Sequence, residues 1–362
     1  MSVFLAKLPF ILVAILIFGV LIAVHELGHF LAAKLSGVQV NEFSIGMGPL
    51  LWHKQKGETE YSLRALPIGG FCAMEGEDED TGDSRSFVRQ GFWKKFIILA
   101  AGSLMNFITG VVILLVLYAG ATGFYTDKLV GFAPEFTLQG EDGLMEGDIF
   151  YKIDGYRTYL RGDASLFLSY HQGDTIDLEV IRDGEKIVLK DFPMTRQTYS
   201  DSNGAPYTGF GIYVGAQLQE ATFGAKLKYT WNTALDFVQL VVFSLKQLFT
   251  GGASVEDLSG PVGIVSTMTE VGAAAETARD AWSQIFYFAA LLAVNLSVMN
   301  MLPIPALDGG RIFFLLVDAV SLLLFKRRVP EKYQAAVNAA GFAVLMGFML
   351  LVTFQDVFKL FQ

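Results

Sequence analysis

His25-Glu26-Leu27-Gly28-His29 closes an almost unbroken apolar run that begins at Pro9 and ends at Val24. Two histidines four residues apart on a helix leave the same face one turn apart, so both imidazoles can reach one cation while Glu26 stays beside them, free to act as a base. Such a pattern also occurs by chance on soluble helices. Its position changes the reading. Ionisable side chains inside a spanning helix cost roughly 2.5–3.5 kcal/mol each, so three within one turn need a compensating partner. A zinc ion with polar surroundings is such a partner, and a packing role is not. One helical turn also suits a single tetrahedral metal better than the two axial positions of a haem.

The rest of the composition agrees with a membrane setting. The chain has 362 residues, 52% of them hydrophobic, and a mean hydropathy of +0.44, above the range of ordinary soluble enzymes. A net charge of −9 leaves no basic face for nucleic acid. The single cysteine, Cys72, excludes an intrachain disulfide and a cysteine-rich metal site, and reads as a small buried side chain. No small-residue cleavage pattern appears between Val24 and Lys34, so the N-terminal segment is expected to be retained.

The expected architecture is a multi-spanning α-helical membrane protein of about four transmembrane helices, with β-hairpins and one water-soluble module. The first span covers Leu8 to Leu35, long enough to cross the roughly 30 Å of bilayer hydrocarbon. From Val38 to Met74, Gly and Pro bound short alternating runs such as Tyr61-Ser62-Leu63-Arg64-Ala65, which predict hairpin strands. A strand edge beside a metal can hold an extended peptide through its backbone, with a simple capping sheet as the alternative. The acidic stretch Glu75 to Asp83 reads as a solvated loop. A second span follows from Phe96 to Ala119, containing Gly102 and Asn106; small residues and a lone Asn are ordinary glue between spanning helices, with support of the metal ligands as the alternative role of Asn106.

Between Gly123 and Gln219 the chain turns water-soluble in character. Asp183-Gly184 between alternating runs signals a hairpin, and Gly143-Leu144-Met145-Glu146-Gly147-Asp148 followed by Asp154-Gly155 is the pattern of a PDZ module, assigned to residues 123–194. Basic residues gather instead at Lys94-Lys95 and at Lys326-Arg327-Arg328. The positive-inside rule then places the PDZ module outside the cell, and the hairpin segment and the basic loop near Arg327 on the cytoplasmic side. Thr195 to Ala221 reads as an extended linker. Phe223 to Phe249 reads as an amphipathic helix lying on the membrane, with a short span as the alternative. Leu258 to Ile264 is expected to break regular structure.

The third span, Trp282 to Met301, runs into Leu302-Pro303-Ile304-Pro305-Ala306-Leu307-Asp308-Gly309-Gly310. Two prolines unwind the helix at a fixed point and turn the side chains beyond them toward a polar cavity. Asp308 there is either a helix cap or the third metal ligand; two histidines in need of a third partner favour the ligand. Val337 to Phe354 is a final apolar span. Four segments result: 1–122 as an N-terminal membrane core, 123–194 as PDZ, 195–280 as linker and surface helix, and 281–362 as a C-terminal membrane core.

His25-Glu26-x-x-His29, the Gly46-x-Gly48 hairpin, Gly102-x-x-x-Asn106, one PDZ pattern, Ser259-Gly260-Pro261 and Asn300-x-x-Pro303-x-Pro305-x-Leu307-Asp308-Gly309 together resemble the site-2 protease family of intramembrane zinc metalloproteases, closest to its bacterial RseP-like branch. The resemblance implies His25, His29 and Asp308 as ligands of Zn2+ and Glu26 as general base. It also implies that Asn295 and Asn300 hold the substrate backbone. The hairpins at Gly46, Gly48 and Tyr61, Leu63, Ala65 would clamp an extended substrate. Implied partners are single-span membrane proteins, such as anti-sigma factors or remnant signal peptides already cut by another protease, in a bacterial plasma membrane. Better-known relatives carry two PDZ modules, and this chain has room for one. The rival expectation is a non-catalytic PDZ-bearing scaffold with a structural metal; an unliganded Glu26 and the lack of a fourth ligand separate the two. A transporter with a broken third helix would show internal repeats, and none is found.

Overall fold

The computed structural model describes residues 2–77, 79–200, 205–252, 254, 259–327 and 331–359. Asp78, Leu258 and Arg328, each part of a stretch read above, lie outside them. In chain order the elements are α1 (Ser2–Ser36), β1 (Val40–Lys56), β2 (Thr59–Met74), α2 (Phe92–Ala119), β3 (Gly123–Phe132), β4 (Ile149–Ile153), β5 (Tyr156–Arg157) and α3 (Asp163–Tyr170). Then come β6 (Ile176–Arg182), β7 (Glu185–Phe192), β8 (Gln197–Ser200), β9 (Pro206–Gly209), β10 (Ile212–Glu220), α4 (Phe223–Thr250), α5 (Pro261–Ala274), α6 (Ala278–Asn300), α7 (Asp308–Phe325) and α8 (Glu331–Lys359). The chain divides into two compact units, residues 1–114 with 253–362, and residues 115–252.

Among the described residues, four helices are long and apolar enough to cross a bilayer: Leu8–Ser36, Phe92–Ala119, Ala278–Asn300 and Tyr333–Lys359. Helix α1 sorts its residues by face. Leu12, Leu16, Val20, Leu31 and Leu35 are exposed, while Ala14, Leu21, His25, His29 and Ala32 are buried. The histidines therefore lie on the stripe that meets other helices, away from the apolar outer face. Helix α2 approaches that stripe closely because two positions lack a side chain. A Cβ on Gly28 would sit 2.4 Å from the Ala101 carbonyl oxygen, and one on Gly102 would sit 2.4 Å from His29 Nε2.

The segment expected to break at Leu258 to Ile264 instead starts a helix. Pro261 occupies the first turn of α5, where its missing N–H is no loss. The Gly263 N–H donates to Asp356 Oδ2 on α8 at 2.8 Å, so a carboxylate from another helix serves as the cap that Gly260 cannot supply. A Cβ on either Gly260 or Gly263 would lie 2.8 Å from that carboxylate. Met268 of α5 then packs between Ala14 of α1 and Ile285 of α6.

Strands β1 and β2 fold back so that β1 has two neighbours. Phe43 pairs with both Cys72 and Tyr61, Ser44 with Phe71 and Ser62, and Ile45 with Gly70 and Leu63; Trp52 and Lys54 pair on with Leu63 and Tyr61. Gly46 and Gly48 both have positive φ, and a Cβ on Gly46 would meet the Leu66 carbonyl oxygen at 2.6 Å. The fold-back therefore needs glycine there. Its base packs into a core with α1 and α2 through Val40, Cys72, Met74, Ala33 and Ile98.

The second unit holds a sheet of order β10-β3-β4-β6-β7, with β5 paired to β4. Asp183 and Gly184 both have positive φ, the backbone that a two-residue Asp-Gly hairpin requires. Asp148, fully buried, accepts two bonds from the Arg182 guanidinium at 2.8 Å each. Thr195 to Ala221 departs from the expected linker: β8 and β9 pair with each other, and β10 pairs with β3 from Ile212↔Phe132 to Glu220↔Gly123. The sequence signal was hidden because five glycines and prolines in that stretch resemble a flexible connector. Only partnership with β3 makes its last third a strand.

Helix α4 is strapped to this sheet. Gln239 accepts from the Arg157 N–H at 2.9 Å and donates to the Arg157 carbonyl at 2.7 Å, while Phe243 enters the sheet's core. Phe223, Leu227, Trp231, Val242 and Phe249 stay exposed on the other face. Asp236 lies on the buried face, and its Oδ1 has no hydrogen-bond partner. Burial, with the Asp163 carboxyl nearby, pushes the Asp236 carboxyl up to about 8. Burial likewise lifts Asp163 to about 6, although its Oδ2 accepts the Tyr159 and Leu160 N–H groups. Both folded values exceed the unfolded value of 3.8, so the folded state holds protons more tightly. The associated stability is fully present below about pH 4 and is lost as pH rises through about 6 and then about 8. The Asp236→Asn protein is therefore expected to melt near the parent temperature at pH 4 and several degrees above it at pH 9. Thermal unfolding in detergent at the two pH values checks this.

Candidate metal centre

Three ligand atoms from distant parts of the chain converge in the first unit. His25 Nε2 lies 3.1 Å from His29 Nε2 and 3.1 Å from Asp308 Oδ2, and His29 Nε2 lies 3.2 Å from Asp308 Oδ2. Zinc at about 2.0–2.2 Å from tetrahedral N and O ligands holds neighbouring donors about 3.3–3.5 Å apart, so the triangle is close to the size of a zinc site. His29 Nδ1 donates to the Ile98 carbonyl at 2.8 Å, which fixes the ring and leaves Nε2 as the lone-pair nitrogen, as metal-bound imidazoles require. Asp308 Oδ2 is buried and makes no hydrogen bond although two imidazoles flank it. The residues present fit the metal.

Asp308 is not the cap of its helix. The cap position is Leu307, which has no side-chain capping bond, and Asp308 is the first residue of α7. The prolines after Asn300 produce the expected break: α6 ends there, Ala306 has a positive φ of 75°, and α7 starts two residues later. Gly309 and Gly310 let this loop fold down on the new helix. A Cβ on Gly309 would lie 2.2 Å from the Leu302 carbonyl oxygen, and one on Gly310 2.3 Å from that of Ile304.

Glu26 leaves α1 beside the histidines without belonging to the triangle. Its Cγ passes Gly70 of β2, where an added Cβ would lie 3.4 Å away, and its charged neighbours are His29, His25, Asp308 and Glu77. Tyr61 and Leu63, expected at a strand edge, are paired on both sides; the segment that passes Glu26 is Gly70 to Met74. Ala65 lies exposed beyond them. Asn295 and Asn300 stand half-buried on the last turns of α6, and Asn295 Oδ1 is buried without a partner. Among the described residues, His25, His29 and Asp308 are the group whose atoms approach one another as metal ligands do; His53 and His171 pair elsewhere, with Glu60 and Asp154. Sequence reasoning missed the Ile98 carbonyl and the steric role of Gly102 against the imidazoles. The glycine four residues before an Asn in a spanning helix is the visible signal; by itself it fits helix packing equally well.

Comparison with known proteins points to the same chemistry. The family model of peptidase family M50 matches residues 13–348. A putative zinc metalloprotease of Clostridium perfringens is 37% identical over 349 residues, covering 96% of this chain and 98% of that protein. The zinc metalloprotease RasP of Shouchella clausii is 30% identical, covering 97% and 99%. The regulator of sigma-W protease RasP of Bacillus subtilis is 28% identical, covering 96% and 98%. For a zinc site walled by Gly102, the Gly102→Ala protein is expected to insert in the membrane yet retain less than a tenth of the parent's zinc, as metal analysis after purification would read. From the apolar helix that bears two histidines, the carboxylate that meets them and a family match over most of its length, the chain belongs to peptidase family M50, the site-2 proteases, and is a zinc metalloprotease.

Proposed function

We propose that this protein hydrolyses peptide bonds within the membrane-spanning segments of other membrane proteins, with His25, His29 and Asp308 as zinc ligands and Glu26 as general base. The observation that carries this reading is a triangle of three ligand atoms, two of them from buried histidines on a helix of spanning length and the third from the start of α7, with no fourth ligand among the described residues. A structural site is closed by four protein ligands, whereas a catalytic one keeps a position open, which weighs against the scaffold reading. Bound zinc supplies Lewis acidity and makes water acidic enough to ionise near neutral pH. Glu26 takes the proton of the attacking water and delivers it to the leaving amine, a contribution of about 10²–10⁴-fold.

A substrate helix hides its backbone in its own hydrogen bonds and has to unwind before it can be cut. The unwound segment then needs new partners, and a strand edge supplies them regardless of side chains. Because Tyr61 and Leu63 are paired on both sides, we assign this role to Gly70 to Met74. One side of that segment pairs with β1, and no described strand occupies the other. Gly46 and Gly48 shape the fold-back that supports it, and Asn295 and Asn300 are the proposed polar contacts at the end of α6. Substrate spans containing Pro or Gly should unwind, and be cut, more readily.

The β3 to β10 unit is proposed to be a PDZ module on the outer side of a bacterial plasma membrane. The edge position of β10 in its sheet supports that reading, since PDZ modules add a ligand strand at an edge. The exposed apolar face of α4 suits an interfacial helix; Lys226 at its start donates to the Ala119 carbonyl at the end of the second candidate span. Substrates would be single-span proteins already trimmed by another protease, in regulated intramembrane proteolysis.

The test pairs zinc content with cleavage of a model single-span substrate in detergent. The Glu26→Gln protein is expected to keep its full zinc content and to lose cleavage by at least 10²-fold. Zinc-loaded parent that cuts none of several helix-unstable spans would overturn the proposal in favour of the scaffold.

A further inference from the structure

Glu77 lies three residues beyond the end of the edge strand, in the loop read from sequence as merely acidic and solvated. It is neither free nor fully solvated. Its Oε1 pairs with the Arg311 guanidinium, and its Oε2 accepts the Met74 N–H, the last amide of β2, at 3.4 Å. Arg311 lies on α7 three residues after Asp308, on the same face, about one turn along. One carboxylate therefore bridges the end of the strand beside Glu26 and the helix that carries the carboxylate of the metal centre.

The base of this bridge is fixed on its other side too. The Glu75 N–H donates to the Gln39 carbonyl at 2.9 Å, and the Glu75 carbonyl accepts from Phe87 at 2.8 Å. Glu77 is thus held by a pinned turn and is itself among the charged neighbours of Glu26. An exposed ion pair contributes little to stability, about 0–1 kcal/mol. A pair that fixes one reacting element against another acts on rate instead, because a displacement of about 1 Å can cost about 10²-fold.

We infer that Glu77 and Arg311 form a positioning pair that sets the register between the strand holding the substrate backbone and the helix bearing Asp308. The inference rests on the proposed reading of Gly70 to Met74 as the substrate strand. It assigns to the pair no contact with substrate and no ligation of metal.

Four variants and two readouts test it. Glu77→Ala and Arg311→Met are each expected to lower kcat about 10-fold to 100-fold, with KM and zinc content within about twofold of the parent. The double variant should be no slower than the worse single, as expected for residues acting through one contact. Glu77→Gln, which keeps the side-chain length but only one acceptor oxygen and no charge, can make one arm of the bridge and not both, so its rate should fall between those of Glu77→Ala and the parent. The second readout needs no turnover: hydrogen exchange at residues 70–74 in metal-free protein should quicken in each single variant and no further in the double. Independent, multiplying effects on kcat, or zinc loss in proportion to the loss of rate, would overturn the inference.

Proline placed in turn at Phe71, Cys72 and Ala73 separates this from the reading beneath it. If folded, zinc-loaded proline variants all cut normally, the substrate-strand assignment fails, and the positioning inference with it. If proline blocks cleavage but Glu77 and Arg311 show no coupling, the strand assignment stands and the positioning pair alone is lost.

Discussion

Everything in the first unit depends on how closely α2 approaches α1. Two imidazoles and two carboxylates have to share a space that hydrocarbon would penalise heavily, and the backbone of α2 comes near enough to furnish one of them, His29, with a polar partner. The Gly28 and Gly102 contacts set that approach. With it the Ile98 carbonyl comes within hydrogen-bonding distance of His29, and a ring that would otherwise rotate is held with Nε2 toward Asp308. A single methyl group at either glycine would separate the helices and dismantle the polar interior they enclose.

Asp308 shows how a local defect becomes a functional device. A continuous helix from Ala278 onward would have carried its side chains along one axis. Pro303 and Pro305 end that continuity, and Gly309 and Gly310 let the chain reverse tightly enough to start α7 beneath the histidines. The two glycines are needed for steric reasons, and the aspartate before them is free for chemistry because Leu307 takes the cap position. The same economy appears at Asp356, where a carboxylate on a candidate spanning helix caps the shorter α5 and forces glycine at both positions it faces.

The β1 and β2 hairpin solves a different problem, that of keeping an extended edge beside Glu26 without leaving every strand of the hairpin open. Strands with open edges associate indiscriminately. Here the strand is curled on itself, so that Tyr61 to Leu63 is satisfied on both sides, and of the two edges left, at Trp52 to Gln55 and at Gly70 to Met74, the second lies beside Glu26. The apolar residues near its far end, Leu50, Leu51 and Trp52, stay exposed.

Much of this was legible in the chain itself. The motif at His25 to His29, its place at the end of an apolar run, the four spans, the Asp183-Gly184 hairpin and the break before Asp308 are all local: each arises from side-chain period, apolar run length or backbone permission within a few residues. What the tertiary structure alone decided is non-local. That β10 joins the sheet through β3, that Tyr61 is an inner rather than an edge residue, that Glu77 reaches Arg311 and that Asp356 caps α5 depend on partners between about 20 and 230 residues away. Periodicity reports which face of an element will be buried, but not which other element will cover it. A strand edge, a cross-helix cap and an ion pair exist only once that second choice has been made.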